Sequence, residues 1–321
     1  MRIGNIEVDN PVALGPMAGV TDWAFRRICA ELGANITVTE MVSSRALVYK
    51  DKKSAALLKK NEGSICGAQI FGNDPQIMAE GAQLALEISG CDFLDINMGC
   101  PMPKIANSGD GAGLMRTPDL AGAIVSAVAK AVDVPVTVKC RLGWDKGNIN
   151  VLEFARRMED NGASMLAVHG RTRSMLYSGV ADWDMIGKVK QTVMIPVLAN
   201  GDIIDGEAAV KCLKRTGADG IMIGRASFGD PWVFMQARAA LNGDPIPERP
   251  CLRDRVDVAV RQFELALEDK GEHIACLEAR KHFAWYLRGV SHSSYYKTQI
   301  SAIQTMEDIY RIAKGIKNDL Q

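Results

Sequence analysis

Residues 195–225, IPVLANGDIIDGEAAVKCLKRTGADGIMIGR, carry the pattern that decides the fold. An apolar run (195–200, IPVLAN) leads into a stretch of helical composition, then Gly217-Ala218, then a second apolar run (220–225, GIMIGR). A glycine just past a helix end supplies a left-handed cap. Apolar runs without alternation suit parallel strands covered on both faces. The stretch therefore reads as one strand–helix–strand unit.

The same unit recurs upstream. Runs at 12–17 (VALGPM), 36–41 (ITVTEM), 64–70 (SICGAQI), 93–98 (FLDINM), 135–141 (PVTVKCR) and 165–170 (MLAVHG) bring the total to eight. Gly33, Gly90 and Gly162 repeat the exit made by Gly217. Thr21, Asp74 and Thr117 are predicted N-caps, the last two followed by Pro75 and Pro118 at the first helical position. Eight such units within residues 1–243 predict an α/β fold, a (β/α)8 TIM barrel. A doubly wound sheet is the alternative, and eight units without a topological break favour closure.

Composition changes near residue 243. GDPIPERP (243–250) reads as a linker. Beyond it, 253–270, 275–290 and 293–317 look helical, so 248–321 reads as a small helical domain on the barrel.

The 321 residues are 47% hydrophobic and 24% charged, ordinary values for a globular chain with a sizeable core. Lys plus Arg and Asp plus Glu each total 38, so attachment to nucleic acid by bulk charge is not expected and any such binding needs a local patch. No run approaches a membrane span, and the N-terminal MRIGNIEVDN has no export pattern. The eight cysteines lack C-x-x-C spacing and are not clustered with histidines. Neither a disulfide framework nor a metal site is expected, and a reducing cytoplasm is. Most of these cysteines should be small buried hydrophobes.

Barrel sites lie at the C-terminal ends of strands, and the strand ends here are polar: Glu40, Gln69, Asn97, Lys139, Arg141, His169, Arg171, Asn200, Asp202 and Arg225. A polar group in a buried run is costly unless partnered, so so many together point to chemistry. Asn200-Gly201-Asp202 and Gly224-Arg225 end runs seven and eight, where this fold frequently binds phosphate; simple tight turns are the alternative. Lys139 and His169 can stabilise negative charge on a reduced ring cofactor, and a Schiff base is a competing role for Lys139. Gln69 can read an amide-like ring edge or be a satisfied core amide. Cys100, between Gly99 and Pro101, reads as a loop thiol fit to be a nucleophile or a general acid. Cys140 alternates with Lys139 and Arg141 and reads as structural.

These residues sit in stretches that resemble the tRNA-dihydrouridine synthase family, most closely its bacterial B branch. The matching stretches are Pro16-Met17-Ala18-Gly19-Val20-Thr21-Asp22, Thr39-Glu40-Met41, Gln69-Ile70-Phe71-Gly72, and Asp95-Ile96-Asn97-Met98-Gly99-Cys100-Pro101. Lys139-Cys140-Arg141-Leu142-Gly143-Trp144, His169-Gly170-Arg171-Thr172-Arg173, Asn200-Gly201-Asp202, Gly224-Arg225 and Arg280-Lys281-His282 continue the match to the C-terminal helices. The resemblance implies a flavoenzyme in which FMN, reduced by NADPH, passes hydride to C6 of particular uridines in tRNA. Cys100 would protonate C5. Pro16, Met17, Ala18, Gln69, Lys139, His169, Asn200, Gly201, Asp202, Gly224 and Arg225 would hold FMN. Asn97 and Arg141 would orient the uracil, and Arg171, Arg173, Arg280, Lys281 and Arg288 would meet tRNA phosphates. No membrane, no metal and a monomer are expected. The loop at 105–111 departs from the family pattern in carrying no charge except Asp110. A dihydroorotate dehydrogenase-like flavin barrel is the nearest rival and leaves the C-terminal helices unexplained. A noncatalytic RNA-binding barrel is disfavoured because Cys100, Lys139 and both phosphate loops are intact.

Overall fold

The structure, a computed structural model, describes residues 1–320. All eight predicted runs are strands: β1 (Val12–Leu14), β2 (Ile36–Val38), β3 (Ile65–Phe71), β4 (Phe93–Met98), β5 (Val136–Cys140), β6 (Met165–His169), β7 (Val197–Asn200) and β8 (Gly220–Ile223). Each pairs in parallel with its sequence neighbours, β8 pairs with β1, and the ring is closed. A short hairpin, Arg2–Ile3 with Ile6–Glu7, precedes β1.

Alternation along the strands, masked in sequence because both faces are largely apolar, sorts side chains cleanly. Leu94, Ile96, Met98, Val136, Val138 and Cys140 face the helical layer and form the main core with it. That is the structural position expected for Cys140. Ala13, Val38, Phe93, Met165, Ala167, Leu198 and Met222 form a second, interior cluster. Gly67 leaves room for the Phe93 ring, since a Cβ there would lie 2.3 Å from it.

Gly33, Gly90, Gly162 and Gly217 all take positive φ, as the helix exits require. The entry to the first helix differs from expectation. Asp22, not Thr21, caps Trp23–Glu31, accepting from Phe25 N at 2.8 Å. Thr21 instead accepts from Met17 N at 2.8 Å, bracing the loop after β1.

Beyond the coil after Gly243, the helices Leu252–Lys270 and Glu272–Tyr286 match two of the three predicted. The third, 293–317, is two helices, Ser294–Ser301 and Met306–Asp319. The break comes from a capping box: Thr305 accepts from Asp308 N while the Asp308 carboxylate accepts from Thr305 N. These helices share their own core, including Phe263, Phe283, Ile300 and Ile309. They meet the barrel beside its C-terminal end, where Trp285 stacks on Phe228 at 4.3 Å and Lys270 pairs with the capping Asp22 at 2.7 Å. Six of the eight cysteines are buried, leaving Cys100 partly exposed and Cys251 exposed. Among the described residues no helix is long and apolar enough to cross a membrane.

Because Phe93 fills the interior at its narrow end, Phe93→Ala should destabilise the fold by about 3–5 kcal/mol, read as a lowered urea midpoint with an unchanged m-value.

Candidate active site

The polar strand ends converge at the C-terminal mouth. Asn97 and Lys139 are register partners, as are His169 and Asn200. Lys139 Nζ donates to Asn200 Oδ1 at 3.2 Å, and Asn200 Nδ2 donates to Met222 O at 2.8 Å, so one amide ties three strands together. His169 lies against the backbone of Gly201, where φ is +117° and a Cβ would come within 3.4 Å of the ring. Pro16, Met17 and Ala18 form a partly exposed wall after β1. Gly224 is open on its mouth side, with only Met17 Sδ within reach of an added Cβ, at 3.6 Å.

Arg141 is buried; its Nε donates to Gly99 O and its Nη1 to Thr172 O and Leu176 O, each at 2.9 Å. Tyr177, from the loop after β6, lies over the guanidinium groups of Arg225 and Arg141, at 4.7 and 5.8 Å. Arg173 and Arg116 sandwich Trp144 at 4.5 and 4.0 Å.

The electrostatics are one-sided. Lys139, Arg141, His169, Arg171 and Arg225 crowd one end of the barrel, with Asp95 and Asp202 as nearby countercharges. Burial, and then the neighbouring Arg141, pull Lys139 down to about 8. Burial pulls Arg141 down to about 10. Burial and the surrounding cations hold His169 neutral, at about 2. His169 Nδ1 and Arg171 Nη1 are buried without a hydrogen-bond partner. Buried unpartnered polar atoms are rare, and a cluster of cations with two of them is built to receive an anion.

Cys100 sits on the loop after β4, half-buried. Its N donates to Asn97 Oδ1 at 2.9 Å, and its O accepts from Ala112 N at 3.1 Å. Gly111, at φ +54°, lets the returning chain pass against it. Burial pushes the thiol up, against the opposing pull of Arg141 and Lys139, so it is protonated at neutral pH.

Four expected site residues are already engaged within the protein. Arg171 is 2% exposed and donates from Nε and Nη2 to Ser178 O, Gly179 O and the Asp202 carboxylate, which sets it beneath the surface and leaves only Nη1 to be satisfied. Asp202 accepts from Arg171 and from Ala181 N, at 2.8 and 2.7 Å, and so anchors a buried cation at the mouth. Gln69 is fully buried, donating to Asp95 Oδ2 at 2.6 Å and accepting from Asn97 Nδ2 at 2.9 Å, so it is a link inside the barrel and does not line the mouth. Arg280 donates Nε and Nη2 to Ile303 O, at 2.9 and 2.6 Å, across the break between the last two helices. Lys281 reaches the mouth, donating to Gly19 O, while Arg288 is exposed.

Sequence reasoning missed Asp95, Tyr177 and Trp144 as parts of the site. Asp95 had a signal, a carboxylate in the middle of the apolar run FLDINM. Tyr177 had none, being one exposed aromatic in an irregular loop.

The solved structures that resemble this chain share its barrel at low identity. A 2-naphthoyl-CoA reductase complex aligns with TM-score 0.60 and 13% identity, over 76% of this chain and 52% of that one. Histamine dehydrogenase from Rhizobium sp. 4-9 aligns with TM-score 0.59 and 17% identity, over 83% and 50%. Curated relatives are much nearer. The tRNA-dihydrouridine synthase B of Pasteurella multocida is 42% identical over 99% of this chain and 96% of its own. A probable tRNA-dihydrouridine synthase of Rickettsia conorii is 39% identical over 98% and 95%. The family model described as dihydrouridine synthase (Dus) matches residues 12–319. With a match running from the first barrel strand to the last helix, this chain belongs to the dihydrouridine synthase family.

Proposed function

We propose that this protein is an FMN-dependent tRNA-dihydrouridine synthase that uses NADPH as reductant and saturates the C5=C6 bond of particular uridines in tRNA. The observation that carries the proposal is the meeting, at one barrel mouth, of an anion-seeking cationic cluster with a half-buried, protonated thiol. Full-length relatives named for this activity support it.

The residues present fit FMN. The unpartnered His169 Nδ1 and Arg171 Nη1 are the kind of donors that a phosphate or ring carbonyl satisfies. Lys139, His169, Asn200, Gly201, Gly224 and Arg225 would hold the cofactor, with Pro16, Met17 and Ala18 against its ring. When bound and reduced by NADPH, FMN supplies hydride for C6 of the uracil. Cys100 holds the proton for C5, and burial keeps that proton on sulfur at neutral pH, as a general acid requires. Asn97 has one amide hydrogen left after donating to Gln69 and would present it to a uracil carbonyl, beside Arg141.

A uridine in folded tRNA must leave its stack to reach this mouth. The Arg173–Trp144–Arg116 stack would offer positive charge to RNA phosphates at the rim. Lys281 and Arg288 would extend that surface across the helical part, so that 1–243 acts as the FMN-binding catalytic domain and 248–321 as the tRNA-binding domain. We read the protein as a monomer acting on tRNA in the cytoplasm.

Cys100→Ala should keep NADPH-driven reduction of bound flavin and slow its reoxidation by dihydrouridine-free tRNA by about 10²–10⁴-fold. Anaerobic stopped-flow separates the two steps, and equal loss of both removes the acid assignment. In the free protein Lys139 loses its proton near 8, and an anionic ligand favours the protonated form. FMN affinity should therefore fall as pH rises through 8, with proton uptake on binding above it. Fluorescence-quench titrations at pH 7 and 9 check this; a constant Kd takes Lys139 out of the site. Arg173→Ala should reduce the salt slope of tRNA binding by roughly one unit, measured by filter binding across a salt series.

A further inference from the structure

Four buried side chains form an unbroken hydrogen-bonded chain from the barrel interior to the Cys100 loop. Thr137 Oγ1 donates to Asp95 Oδ1 at 2.5 Å, and Gln69 Nε2 donates to Asp95 Oδ2 at 2.6 Å. Asn97 Nδ2 donates to Gln69 Oε1 at 2.9 Å. Asn97 Oδ1 then accepts from Gly99 N at 3.1 Å and Cys100 N at 2.9 Å. Gln69, Asp95 and Thr137 are register partners on three adjacent strands, so the sheet itself holds them side by side.

The chain has a direction, and one group sets it. An amide can turn either end toward a neighbour, whereas an ionised carboxylate only accepts. Asp95 therefore obliges Gln69 to present its NH2, which turns the Gln69 carbonyl toward Asn97. Asn97 must then present its own NH2, which turns its carbonyl toward the Cys100 loop. Reversal of Asn97 would set N–H against N–H at Gly99 and Cys100, and reversal of Gln69 would set its carbonyl against the Asp95 carboxylate and its NH2 against that of Asn97, mismatches that are expensive in a buried site. Asp95 is 3% exposed, so bulk solvent does not stand in for a lost partner.

We propose that Asp95 is a positioning residue for the reaction, acting through the Gln69 and Asn97 amides to fix the loop that carries Cys100. This rests on the functional reading above only in assigning Cys100 as the acid; the orientation of the loop is a property of the protein alone.

The test is Asp95→Asn in the full-length, FMN-loaded protein. An amide at 95 can turn its NH2 either to the Thr137 hydroxyl, which keeps the chain, or to Gln69, which reverses it, so the direction is no longer enforced. The loss of tRNA-dependent reoxidation should exceed any change in NADPH reduction of the flavin. Reoxidation by saturating dihydrouridine-free tRNA should slow by about tenfold or more, the scale of a small misplacement of a reacting group, with KM for tRNA little changed. The rate of Cys100 alkylation by iodoacetamide, read by mass spectrometry, should also shift from wild type. The double variant Asp95→Asn with Gln69→Glu moves the acceptor-only group one link along. It restores the direction at Asn97, so its Cys100 alkylation rate should return to the wild-type value even if the new charge weakens flavin binding.

Wild-type alkylation and tRNA-dependent reoxidation in Asp95→Asn would overturn the proposal. So would parallel loss of flavin reduction, which would assign Asp95 to the cofactor or the fold, or failure of the double variant to restore alkylation. Wild-type protein that tRNA fails to reoxidise would instead overturn the functional reading, and the alkylation comparison would still decide the role of Asp95.

Discussion

Closing eight parallel strands into a ring leaves each strand one face toward the helices and one toward a narrow interior, and everything else follows from how that interior is filled. Toward the N-terminal ends it is filled with Phe93, Met165 and Leu198, which need nothing but contact. Toward the C-terminal ends the same inward positions carry Gln69, Asp95, Asn97, Thr137, Lys139, His169 and Asn200. These are costly to bury unless each finds a partner. Most find one another across adjacent strands. The atoms left over, His169 Nδ1 and Arg171 Nη1, mark the place where the molecule is completed from outside.

The loops around the mouth are held with equal economy. Glu40 accepts from Gly19 N, and Lys281 donates to Gly19 O, so the first loop is gripped by the barrel on one side and by the helical part on the other. Asp202 serves both Arg171 and Arg225, letting two guanidinium groups stand close together. Its own carboxylate is held below the usual range: burial opposes this, but Arg171, Ala181 N and Arg225 together prevail. The C-terminal helices thus belong to the site as much as to their own core, because they dock on the loops that line it.

Packing gives several of these residues partners that the sequence does not display. Arg171 and Arg173 are two residues apart and look equivalent in sequence, yet one is sealed against Asp202 and the other lies on Trp144 at the surface. The loops beyond the strand end separate them: Ser178 O, Gly179 O and Asp202 take up Arg171, whereas Arg173 reaches Trp144. Gln69 was legible as a polar strand end but not as a link, because its partners come from other strands. The break at 302–305 follows from a Thr-x-x-Asp capping box that was present in the sequence, but was overlooked within an otherwise helical pattern.

The sequence by itself determined the barrel, the helical appendage, the positions of the strand ends and the family. Those rest on local periodicity, on glycine and proline at helix ends, and on contiguous motifs, all written along the chain. Only the tertiary structure decided which charged groups are exposed, which acceptor each buried donor meets, and which way the amides of Gln69 and Asn97 turn. Those depend on residues tens of positions apart brought within 3 Å by strand register. A polar group's role is set by its partner, and the partner is chosen by the fold.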